Sequence, residues 1–260
     1  MQYIQPTIVV VLGLVIGSFL NVLIYRIPRR QQFVKGRSAC PNCGALIKWY
    51  QNIPLVSYFA LRGRCAGCRA RITFRYPLVE LLNAVAYFYF FHTFAWSLQF
   101  GTFAFLSSAL IVIFFIDLDH QMIPDLITLP GMIIGLAVSF VPGGIGIVPA
   151  LIGLLVGGGS LYLIALLGDW LFKKDSMGGG DIKMASMLGA FLGWQKVLFV
   201  FMASAVIGLI VSVALMTFSA RLRETRIVPF GPFIAIAAMT AVIWGDRLIA
   251  YYVDNFLHLN

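Results

Sequence analysis

The sequence is poor in charge. Only 11% of its 260 residues are Asp, Glu, Lys or Arg, against about 25% in an ordinary soluble domain. That shortage, beside 60% hydrophobic residues, excludes both a water-soluble single core and a disordered chain. Cysteine is scarce too: four in the whole chain are too few for a disulfide scaffold. No glycine-rich dinucleotide fingerprint and no phosphate-binding loop ending in Lys-Ser/Thr is present. Acidic residues number ten, and none lies between Arg26 and Arg75. What remains is the composition of an all-α, polytopic membrane protein.

The missing acids leave a one-signed loop. Eleven Lys/Arg fall from Arg26 to Arg75, while the rest of the chain has eight against ten acids. A basic run can bind nucleic acid or anionic lipid. Between two apolar spans it reads more economically as a cytoplasmic loop under the positive-inside rule, with no nucleic-acid partner.

A span needs about 20 apolar residues. Thr7 to Tyr25 is the first, read as a retained helix and not a secretory signal because no basic residue precedes it and no small-residue cleavage site follows. Leu78 to Trp96 and Leu98 to Ile116 form a hairpin, and Asp117 to Asp125 is expected to be a polar turn. Leu126 to Val141 and Ile147 to Gly168 follow. The polar, glycine-rich stretch Asp169 to Lys183 comes next. The block Met184 to Met216 is too long for one span, and Gly193 to Lys196 breaks it in two. Val228 to about Trp244 completes eight. Eight spans place Lys173/Lys174 and Arg221/Arg223/Arg226 on the same side as the basic loop, and both termini outside. The expected division is a first helix (1–28), a cytoplasmic metal-binding domain (29–76) and a membrane domain (77–260).

Within the loop, Cys40-Pro-Asn-Cys43 and Cys65-Ala-Gly-Cys68 form two CxxC pairs with 21 residues between them. Paired knuckles supply four thiolates, the ligand set of structural zinc, with Gly44 and Gly67 letting backbone N–H groups approach the sulfurs. Redox pairs and disulfides are the alternatives, and a reducing compartment argues against the latter. A four-Cys site has no open position, so the metal builds the domain and does not catalyse.

Ionisable groups at membrane boundaries are costly and point to function. Asp117 ends the third span and Asp181 follows Gly178-Gly179-Gly180, both at the cytoplasmic boundary. Two convergent carboxylates make an acid/base pair, one activating water and one holding a proton. The bland alternatives are an interfacial acid for Asp117 and a helix-start acid for Asp181. Asp125 after Pro124 reads as the N-cap of the fourth span. Asp119 points away on a continuing helix, and His120 reads as interfacial. Glu80 reads as a helix-start acid with Pro77 at the first position, or as an acid contacting the basic loop.

Taken together and in order, Gly17-Ser18-Phe19-Leu20-Asn21-Val22 with Tyr25-Arg26-Ile27-Pro28, the paired CxxC loop, Arg75-Tyr76-Pro77-Leu78-Val79-Glu80, Ile116-Asp117-Leu118-Asp119 with Ile123-Pro124-Asp125, Gly178-Gly179-Gly180-Asp181-Ile182-Lys183 and Pro229-Phe230-Gly231-Pro232 resemble the bacterial type IV prepilin peptidases. The resemblance spans residues 17 to 232. It implies an inner-membrane GxGD aspartic protease that cuts the basic leader from prepilins or pseudopilins of type IV pili or type II secretion, after a Gly. It also implies methylation of the new N-terminal residue with S-adenosylmethionine. By position Asp117 and Asp181 match the catalytic aspartates, Gly178 and Gly180 the GxGD loop, and Cys40, Cys43, Cys65 and Cys68 the zinc domain. Glu80 and Asn21 are the candidates for the methyl-donor site. Two readings outside this class stay open: a proton- or cation-coupled transporter using Glu80, Asp117 and Asp181 as a relay, and an assembly scaffold recruiting partners through its metal loop.

Overall fold

The computed structural model describes residues 4–33, 36–173, 177–218, 229–252 and 254–255. Lys174 and the Arg221/Arg223/Arg226 cluster lie outside these. Among the described residues the architecture is all-α, without a named strand. The helices are α1 (Ile4–Arg26), α2 (Val56–Ala60), α3 (Arg75–Phe94), α4 (Leu98–His120), α5 (Asp125–Ser139), α6 (Ile147–Phe172), α7 (Gly179–Leu192), α8 (Trp194–Phe218) and α9 (Gly231–Tyr252). Five of them, α1, α4, α6, α8 and α9, are long and apolar enough to cross a membrane. At 1.5 Å per residue, the 15-residue α5 and 14-residue α7 reach only about 22 Å, short of the roughly 30 Å hydrocarbon layer.

The chain forms two compact units, Met1–Val112 and Ile113–Asn260. In the first, α1 and α3 cross at backbone distance. A Cβ on Gly13 would lie 2.7 Å from the Ala84 Cα, and one on Gly17 would lie 2.7 Å from the Glu80 Cα. Small residues four apart allow this approach where lipid offers no hydrophobic drive between helices. The crossing then buries polar groups that pair locally. Asn83, fully buried, donates to the Gly13 carbonyl (2.8 Å) and accepts from the Ser108 hydroxyl (2.8 Å).

In the second unit α7 is the centre, with most of Met184–Leu192 buried. A short helix apolar on every side needs protein around it. Gly153 on α6 and Gly189 on α7 meet backbone to backbone, and Gly157 rests on Ala185. On another side Gly131 and Gly135 of α5 face Met187 and Ala190. Gly193, at φ +80°, ends α7 and turns the chain directly into α8.

Four local expectations are corrected. α4 does not stop at Ile116 but continues through Asp117 to His120, because no residue opposes helix before Ile123-Pro124. Gly179 and Gly180 are the first turn of α7 and not loop. α3 starts at Arg75, so Pro77 is its third residue. Asp125 is the first residue of α5 and not its cap; Pro124 takes the cap position without a side-chain bond.

The α6–α7 crossing yields a paired test. Gly153→Ala is expected to lower thermal stability in detergent by about 1–3 kcal/mol, the usual cost of overpacking. Gly159→Ala, six residues further along the same helix with nothing within 4 Å of an added Cβ, should be neutral or stabilising by up to about 1 kcal/mol.

Candidate active site

Asp117 sits in the last turn of α4 and is only 5% exposed. Its Oδ2 accepts a hydrogen bond from the Gly231 backbone N–H at 3.0 Å. Gly231 opens α9, so this amide belongs to the first-turn donors that have no partner within a helix. The approach requires glycine, since a Cβ there would lie 2.6 Å from the same carboxylate oxygen. No protein donor among the described residues reaches Asp117 Oδ1.

Asp181 lies in the first turn of α7, ahead of the apolar stretch that begins at Met184. Burial first, and then the negative charge of Asp117, push its carboxyl up to about 6. The two acids, 64 residues apart in sequence, therefore act in one electrostatic field. Ile123 fits between the start of α7, which carries Asp181, and the start of α9, whose Gly231 anchors Asp117. A Cβ on Gly180 would come within 2.8 Å of the Ile123 Cβ, and one on Gly231 within 3.3 Å of its Cδ1. Gly179, by contrast, has nothing within 4 Å. Beside this, the Lys183 ammonium holds both oxygens of Asp125, at 2.8 and 2.7 Å, and ties the start of α7 to the start of α5. Asp119 and His120 are exposed.

The four cysteines converge: their Sγ atoms lie within 4.8 Å of one another. Each pair sits in the same knuckle. An isolated bridge closes each, Ala39 with Leu46 and Arg64 with Arg71. The Cys40 and Cys65 amides bond the Ala45 and Ala70 carbonyls, both at 2.9 Å. The fifth residue of each knuckle, Gly44 or Arg69, takes positive φ (+69° and +60°). The Gly67 N–H points at Cys65 Sγ (3.4 Å). The Ala70 backbone and the Asn42 amide draw the Cys68 thiol down to about 6.

Glu80 and Asn21 do framework work in the first unit. Glu80 Oε2 accepts the Leu55 N–H at 2.8 Å. Asn21 Nδ2 donates to the carbonyls of Gly17 (3.3 Å) and Tyr76 (3.1 Å).

Residues 11–94 match the bacterial peptidase A24 N-terminal domain, and residues 104–213 match the type IV leader peptidase family. The chain is 42% identical to a prepilin leader peptidase/N-methyltransferase of Myxococcus xanthus, over 85% of this chain and 67% of that one. It is 36% identical to the protein of the same name from Pseudomonas aeruginosa (94% of this chain, 92% of the relative). The corresponding figures for Aeromonas hydrophila are 37%, 96% and 94%. The chain belongs to the prepilin leader peptidase/N-methyltransferase family. No solved structure matches it.

In this family member the cysteines, Asn21 and Glu80 fall in the N-terminal match, and Asp117 and Asp181 in the peptidase match. Gly231 lies beyond both, and sequence reasoning gave it no role. Its signal was the Pro-Phe-Gly-Pro start of α9, which marks a helix beginning but not what that beginning faces.

The contrast between neighbouring glycines is measurable. Gly179→Ala should leave peptidase activity within about twofold, whereas Gly180→Ala should lower it at least about tenfold by pushing Ile123 and the Asp181 turn apart. Assay of both in detergent against a leader-bearing peptide checks this.

Proposed function

We propose that this chain is a membrane-embedded aspartic peptidase that removes the basic leader of type IV prepilins or pseudopilins after a Gly, and then N-methylates the exposed residue. The observation that carries the reading is the buried Asp117, anchored by the Gly231 amide, in electrostatic contact with a raised Asp181. A backbone N–H only donates, so Asp117 Oδ2 is a fixed acceptor and Oδ1 is left to take a proton from water. Asp181 holds the shared proton and gives it to the scissile carbonyl oxygen as water oxygen bonds to the carbonyl carbon. The proton gathered by Asp117 then passes to the leaving nitrogen, the C–N bond breaks, and a hydroxyl proton of the tetrahedral intermediate returns to Asp181 as the carboxyl product forms, which resets the pair. Mutual repulsion is what keeps one proton on two carboxylates. A transporter relay would need acids towards the midplane, whereas here both sit at helix ends.

Tetrahedral Zn–S bonds of about 2.3 Å require sulfurs about 3.8 Å apart. Cys40 and Cys68 Sγ lie at 3.9 Å, so the four-thiol set fits zinc as a closed structural ion that organises the loop. The methyl donor implied by the family is S-adenosylmethionine. Glu80 Oε2 and Asn21 Nδ2 are each bonded to protein backbone, and no step of methyl transfer is assigned to these two residues. The basic loop and the two aspartates face the cytoplasm, with the termini of an inner-membrane protein outside; a C-terminal reporter active on the cytoplasmic side would refute this orientation.

Asp117→Asn and Asp181→Asn are each expected to reduce leader cleavage by at least about a thousandfold, because neither role is covered by the other residue. Both variants should still methylate a peptide supplied without its leader. Normal cleavage by either sinks the peptidase reading.

The pH profile follows from the shared proton. Because Asp181 must be protonated and its carboxyl lies at about 6, kcat/KM should fall as pH rises through about 6, and fall again in acid once both carboxyls are protonated. A flat profile across this range would contradict the assignment.

Purified protein should contain about one zinc per chain. Cys40→Ser should lose it and open the loop to limited proteolysis, because site and fold form together. Metal analysis that finds none in the parent protein would refute the zinc assignment.

A further inference from the structure

The metal loop leaves α1 at Arg26 and re-enters at Arg75, and Asn21 bonded to the Tyr76 carbonyl holds those two ends together. A third point is fixed midway: the Leu55 N–H bonded to Glu80. Glu80 is five residues into α3, about 7.5 Å along its axis. The segment entering α2 is therefore drawn back beside α3, level with its apolar part, instead of standing off in water. Leu55 takes φ +58°, ψ −51° there, a backbone costly for leucine that the surroundings must hold in place.

What this segment presents is apolar and uncovered. Trp49 is 80% exposed, Phe59 66% and Val56 61%. Three exposed side chains of this size within one short segment call for a covering surface. The charges beside them have one sign: the Lys48 ammonium lies 5.8 Å over the Tyr50 ring, and exposed Arg62 closes the turn after Phe59.

We propose that the segment from Lys48 to Arg62, the 3-10 turn Trp49–Asn52 and α2 together, is an interfacial foot that rests on an anionic lipid surface. Its aromatic and aliphatic side chains enter the headgroup–acyl boundary and its basic residues meet lipid phosphates. Three anchors bring it to the level of the membrane, and a loop with eleven basic and no acidic residues complements anionic headgroups while repelling a basic leader peptide. The inference depends on α1 and α3 lying in the bilayer and is independent of the peptidase reading.

The test uses the full-length protein in nanodiscs of phosphatidylcholine, with or without about 30% phosphatidylglycerol, carrying brominated acyl chains. The Trp49 signal is the fluorescence difference between the parent and Trp49→Phe. Bromine quenching of that signal at least about twofold stronger with phosphatidylglycerol is expected. The paired variant Lys48→Gln/Arg62→Gln should remove the difference while retaining the parent's metal content. Trp49 equally unquenched in both discs, and open to aqueous iodide, overturns the proposal. Shielding from iodide that appears only when a leader-bearing pilin peptide is added also overturns it, in favour of a protein partner.

Discussion

Helices surrounded by lipid gain no hydrophobic drive from meeting one another, so what they need is closeness. The rest of this structure depends on that requirement. Glycines placed at Gly13 and Gly17, and again at Gly153, Gly157 and Gly189, remove the side chains that would hold helix axes apart. The α6–α7 contact matters most, because it sets a helix shorter than the hydrocarbon layer inside a protein wall. Asp181 sits in the first turn of that helix, so its position is decided by backbone packing about one to two turns away, at Ala185 and Gly189.

Once helices touch at backbone distance, polar atoms between them have no water to turn to. The buried acids and amides answer this in one way: each takes a main-chain partner. Asp117 takes the Gly231 amide, Glu80 the Leu55 amide, and Asn83 the Gly13 carbonyl. These bonds are directional where the glycine contacts are not, and they fix rotation about each helix axis. In the second unit that bond falls on Asp117, so the group that orients the helix is also the one proposed to react.

Helical class was legible because apolar stretches and Gly/Pro interruptions follow the bilayer's length scale. Among the described residues eight helices are longer than ten residues and lie near the eight stretches read from composition, but only five satisfy length and apolarity together, so five and not eight stand as candidate spans. The cysteine knuckles were legible because ligand spacing is local. Ends were not: nothing in Ile116-Asp117-Leu118-Asp119 says whether a helix stops at a charge, and a polar residue is tolerated in a last turn that α9 covers. The Gly178–Gly180 run looked like loop because glycine weakens helix, yet Gly180 serves close approach to Ile123. The Asp125–Lys183 and Asp117–Gly231 pairings escaped for a different reason. They join residues 58 and 114 apart, and no periodicity within either segment encodes its partner.

The second of those separations sets an order of events during biosynthesis. At a translation rate of about 5–20 residues per second, Asp117 leaves the ribosome roughly 6–23 seconds before the amide that will anchor it. Asp181, α7 and the helices that enclose it are all made within that interval. A nascent or truncated chain ending before α9 thus carries both acids and lacks the donor that fixes one of them. In the proposed mechanism the pair is complete only once α9 is in place, so connectivity alone would withhold the activity from chains that stop short of it.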